Sequence, residues 1–116
     1  MKHAVVHWEI GGPDHGRLRD FYTGMFGWPT QTADENYTLV QPEQGPGGGI
    51  MRTGGTMPAY VTFYVEVDDL DKMLDRAVEL GGARAVPPTK IGEGMEFALF
   101  TDPAGNLVGL MALAGE

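Results

Sequence analysis

Residues 4–22, AVVHWEIGGPDHGRLRDFY, change period partway along, and that change decides how the rest of the chain reads. Ala4, Val6, Trp8 and Ile10 alternate with Val5, His7 and Glu9, the two-residue period of a strand with one apolar and one mixed face. Asp14 then stands where a helix N-cap belongs. Leu18, Phe21, Tyr22, Met25 and Phe26 recur at helical spacing until Gly27 ends the run. The segment predicts a strand feeding a helix whose apolar stripe lies on a sheet.

The same order of signals returns about 55 residues later. Val61, Phe63, Val65 and Val67 alternate with Thr62, Tyr64 and Glu66. Asp69 can cap a helix carrying Leu70, Met73, Leu74, Ala77 and Val78, and Gly81-Gly82 ends it. The tails match too: Tyr37-Thr38-Leu39-Val40 precedes a glycine-rich turn and Gly49-Ile50-Met51, and Phe97-Ala98-Leu99-Phe100 precedes Asp102-Pro103-Ala104-Gly105-Asn106 and Gly109-Leu110-Met111. Each half reads strand, helix, then three strands, although Gln31 to Glu35 give only a weak strand signal. The expected class is α+β: two βαβββ modules, residues 4–53 and 59–113, within one domain of residues 1–116, curling a mixed sheet into a cup with the helices outside.

Composition bounds the function. The chain of 116 residues is 42% hydrophobic and 21% charged, enough for one globular domain. No apolar run approaches a membrane span, and Lys2 and His3 lead into a strand rather than a signal peptide, so a cytoplasmic location is expected. There is no cysteine, hence no disulfide or thiolate chemistry, and no Ser-His-Asp grouping is recognisable. A formal charge of −8 repels nucleic acid and anionic lipid and favours cations. Gly45-Pro46-Gly47-Gly48-Gly49 lacks the Lys-Ser/Thr of a phosphate loop and does not open a helix, so it reads as a flexible turn or lid.

The chain resembles the vicinal oxygen chelate superfamily, which includes glyoxalase I, bleomycin-resistance proteins and extradiol dioxygenases. The likeness rests on His7-x-Glu9-Ile10 with Asp14, on Phe21-Tyr22 and Phe26-Gly27-Trp28, on Tyr64-Val65-x-Val67-Asp68-Asp69, on Leu80-Gly81-Gly82 and on Asp102-Pro103-x-Gly105-Asn106. The resemblance implies four metal-ligand positions, on the first and last strands of each repeat, and often a homodimer. His7 matches the first position, but Thr62, Gly49 and Gly109 stand at the others. One histidine falls short of the roughly three protein ligands of a catalytic transition-metal site, so no metal cofactor is expected.

Strand alternation lists the inward side chains: Val5, His7, Glu9, Tyr37, Leu39, Met51, Thr62, Tyr64, Glu66, Phe97, Leu99, Leu107 and Met111, with Gly49 and Gly109 leaving room near the backbone. Aromatics, methionines and a few polar groups suit an organic molecule held by apolar contact. The reading is a metal-free small-molecule binder of the glyoxalase/bleomycin-resistance type, sequestering an aromatic or cationic compound. The alternative is a metal-dependent lyase, isomerase or dioxygenase in which His7 binds one divalent ion and Glu9 or Glu66 moves the proton. A metal-free enzyme would use His7 and Glu9 as its acid–base pair. Trp8 is expected in the core, and Trp28 in packing or a dimer contact.

Overall fold

The computed structural model describes residues 3–91 and 94–113; Lys2 and the ends of the 1–116 domain lie outside the described residues. The element order is β1 (Val5–Gly12), α1 (His15–Phe26), β2 (Thr30–Asp34), β3 (Tyr37–Val40), β4 (Gly48–Arg52), β5 (Tyr60–Glu66), α2 (Leu70–Glu79), β6 (Ala83–Lys90), β7 (Met95–Thr101) and β8 (Leu107–Leu113). The class is α+β with mixed strand pairing, and βαβββ occurs twice, as expected.

Both helices begin on the aspartate that the sequence offers. Asp14 accepts the Arg17 amide at 3.1 Å and Asp69 the Lys72 amide at 3.1 Å, each satisfying a donor that has no partner inside its helix. Gly27 closes α1 with φ +66°, a left-handed conformation that costs a side chain energy and glycine none, and its amide bonds the Thr23 carbonyl at 2.8 Å.

Contacts divide the chain into two compact units. The first is His7–Thr62; the second joins the described residues of Met1–Val6 and Phe63–Glu116. In the first unit β1 runs parallel to β4 with Trp8 opposite Gly48, β3 is antiparallel to β4, and β2 lies outside β3. In the second, β5 runs parallel to β8 with Tyr64 opposite Gly109, β7 is antiparallel to β8, and β6 forms the edge. The edge strands β2 and β6 carry the weakest patterns. Thr30–Asp34 is exposed throughout, and β6 contains Pro87 and Pro88, which cannot donate to a ladder.

The second unit has two apolar clusters. Val67, Leu70, Leu74, Ala98 and Leu110 form the layer between α2 and the strands, and Tyr64, Leu99 and Met111 pack together in a second cluster. The first unit buries Val40, Thr38 and Ile50, with a hydrogen bond of 2.9 Å between Thr38 and the buried His15.

The apolar stripe expected of α1 is only partly laid down. Leu18 and Tyr22 are half-buried, whereas Phe21, Met25 and Phe26 are exposed. Tyr22 and Phe26 turn instead to Trp28, with ring centroids 6.3 and 4.7 Å away, and Trp28 in turn meets Trp8 at 5.0 Å. Trp8 is half-buried, donates to the Pro46 carbonyl at 3.1 Å and lies over Gly48.

Candidate ligand-binding site

On the first unit, strand parity puts His7, Glu9 and Gly11 on one face of β1. The Tyr37 hydroxyl hydrogen-bonds His7 Nε2 at 2.9 Å, and its ring lies across Gly49: a Cβ added there would stand 1.9 Å from the phenolic oxygen. Leu39 pairs with Gly49, and Tyr37 with Met51. Tyr60 repeats the device. Its ring covers Gly11, where a Cβ would come within 2.4 Å, and its hydroxyl donates to the buried Glu9 carboxylate and contacts Met51 Sδ at 3.5 Å. At both crossings an aromatic ring takes the volume that a side chain would need, so glycine lets the ring lie against the strand.

His7 is half-buried, and burial lowers its pKa from the ordinary 6.5, with the negative charge of Glu9 opposing the shift in part. At neutral pH the imidazole is therefore uncharged, with one ring nitrogen a donor and the other an acceptor. The face thus presents a neutral imidazole, a carboxylate, two phenols and a thioether, a set that can orient a flat polar molecule through a few directed bonds. Thr62, at the end of this unit in β5, is buried.

On the second unit Tyr64 lies over Gly109, where a Cβ would meet ring carbon Cδ2 at 2.3 Å. Tyr64, Leu99 and Met111 are buried, with Phe97 and Leu107 half-buried against them, and Phe97 meets the Tyr64 ring edge-on at 6.4 Å. Glu66 is half-buried opposite Met111.

Of the residues expected at a site, the structure brings His7, Glu9, Tyr37, Leu39, Gly49 and Met51 together on the first unit, and Tyr64, Phe97, Leu99, Gly109 and Met111 on the second. The space beside Gly49 and Gly109, expected to admit a ligand, is filled by the protein's own tyrosines. Tyr60 and Gly11 were missed. Stepping back two residues from Thr62 along the strand would have found Tyr60, but nothing in the sequence ties it to Gly11.

The same geometry bears on a metal. Among the described residues no three His, Asp or Glu side chains stand close enough to hold an ion together. Tyr37 occupies the corner at Gly49 and engages His7 Nε2, while Tyr64 occupies the corner at Gly109. The donors present do not fit a divalent ion of the kind that the superfamily uses.

Residues 7–111 match the glyoxalase-like domain, and the chain belongs to that family, within the vicinal oxygen chelate superfamily. The chain is similar to CFP32 of Mycobacterium bovis, provisionally named a glyoxylase, with 30% identity over 129 aligned residues covering 94% of this chain and 46% of CFP32. It is likewise 30% identical to the anthracycline biosynthesis protein DnrV of Streptomyces peucetius, over 88% of this chain and 44% of that protein. The chain spans a little under half the length of these relatives. In fold it resembles a glyoxalase/bleomycin resistance protein/dioxygenase superfamily member from Vibrio splendidus 12B01, with a TM-score of 0.67, 15% identity, and coverage of 94% of this chain and 97% of that one. No described helix is long and apolar enough to cross a membrane.

Proposed function

We propose that this domain, residues 1–116, binds a small organic molecule without a metal ion and sequesters an aromatic or cationic compound. The observation that carries the reading is the hydrogen bond between the Tyr37 hydroxyl and His7 Nε2, 2.9 Å long. The nitrogen that would take a metal already has a partner, and that partner's ring fills the neighbouring corner. The proposed contacts lie on the first unit: His7, Glu9, Tyr37, Leu39, Met51 and Thr62, with Gly49 beneath the Tyr37 ring. Glu9 and the phenol rings would favour a cation through charge and the negative faces of the rings. The name of DnrV supports an aromatic ligand, because anthracyclines carry fused flat rings.

The second reading, a metal-dependent glyoxalase-like lyase, isomerase or dioxygenase using His7, draws on the name of CFP32. It requires Tyr37 to release the imidazole.

We further propose a cytoplasmic location and a homodimer. The exposed Phe21, Met25 and Phe26 of α1 support self-association, which sedimentation at several concentrations would reveal as a concentration-dependent shift. The ligand reading is tested by calorimetric titration with a panel of flat amines and their neutral counterparts. Saturable binding that weakens in Glu9→Gln for the amines alone is expected. No binding across the panel, or activity that appears only with added divalent metal, overturns it.

A further inference from the structure

We propose that the second unit carries a separate site for an uncharged aryl compound, in the cleft between α2 and the strands beneath it. A cavity of about 300 Å³ opens there, with Val65, Met73, Ala77, Phe100 and Leu110 in its walls. Its size is at the lower end of small-molecule pockets, roughly 300–1,000 Å³. Leu110 is buried, but Val65, Met73 and Phe100 are only half-buried even though they pack against the core cluster. Apolar surface is left facing solvent in a concave space, and a guest that covered it would gain the transfer free energy of that surface.

The internal duplication indicates what chemistry fits. At the offset that relates Asp14 to Asp69, Ala77 of α2 corresponds to Tyr22 of α1. Tyr22 is half-buried and stacks its ring on Trp28 at 6.3 Å and on Phe26 at 6.4 Å. In the second repeat a methyl group stands where the first has a phenol, and the vacated volume suits an aryl ring. Of the titratable groups at the rim, His3, Arg76 and Asp102, the last two are engaged. Arg76 pairs with Glu79 at 3.2 Å, and Asp102 accepts hydrogen bonds from Ala104 and Asn106, each at 2.9 Å. The walls themselves are apolar, so the proposed guest is uncharged and selected chiefly by shape and apolar contact. This site is independent of the His7 face and stands whether or not that face binds a ligand.

The test is a titration with indole of the whole chain carrying ¹³C-methyl methionine. The Met73 methyl resonance is expected to shift saturably. Ala77→Tyr, which restores the ring of the first repeat, should weaken that response at least about tenfold by filling the space, with Ala77→Val intermediate, while the Met51 methyl behaves as in the wild type. If Ala77→Tyr does not fold, Ala77→Val decides alone. A Met73 resonance that does not respond to indole, or one that responds equally in wild type and the folded variants, overturns the proposal.

Discussion

Gly49 and Gly109 occupy matching places, yet alanine should not act alike at the two. At Gly49 the new methyl meets the far end of the Tyr37 ring, the hydroxyl and Cζ, which can swing away with the loss of its bond to His7. At Gly109 it meets Cδ2, Cε2 and Cγ of Tyr64, close to the root of a buried ring that cannot move without the backbone. Gly109→Ala is therefore expected to cost about 1–3 kcal/mol and Gly49→Ala less, by urea unfolding. His7 gives a second prediction, in pH. Its folded pKa lies below the ordinary 6.5, so the unfolded chain takes up the proton more readily. The stability contributed by the neutral imidazole is complete above about pH 6.5 and is lost as the pH falls through that value toward the lower folded pKa. Unfolding curves from pH 7.5 to 5 should show wild type losing more stability than His7→Gln; parallel losses would remove this assignment.

The helices are governed by short-range chemistry, which is why their bounds could be read from the sequence. Asp14, Asp69 and Gly27 act through bonds to residues three or four away, so no knowledge of the tertiary fold was needed. Asp14→Ala and Asp69→Ala should each cost about 1 kcal/mol in thermal or urea unfolding, with Asn in either place nearly neutral. The six strands that alternate or run apolar, β1, β3, β4, β5, β7 and β8, were legible for the same reason. β2 was faint because an edge strand exposed on both faces has no burial to write into its pattern. The tyrosine-over-glycine crossings were not legible at all. They depend on which residues of neighbouring strands stand opposite one another, such as Tyr64 and Gly109, and a single strand does not encode its partner's register. The exposure of Phe21, Met25 and Phe26 escaped for a related reason: helical spacing tells which residues share a stripe, not how wide a surface awaits them.

Across the molecule, a charge of −8 sets up a field that draws cations and that salt screens within about 10 Å at 0.1 M. A cationic ligand of the His7 face should therefore bind several-fold more weakly when ionic strength rises from about 0.02 to 0.5 M, while a neutral analogue changes little. Equal salt dependence for both would rule out an electrostatic share in recognition. The family was readable from the order and spacing of motifs in the two repeats, whereas the fate of the metal corners turned on Tyr37 and Tyr64, whose rings reach across strands to glycines. That fate is measured by following the His7 imidazole by NMR while zinc, nickel or manganese is added to metal-free protein. The imidazole should show no saturable response at equimolar metal, and the bond to Tyr37 should persist. Stoichiometric uptake with His7 bound to the ion and the Tyr37 bond broken would contradict the account.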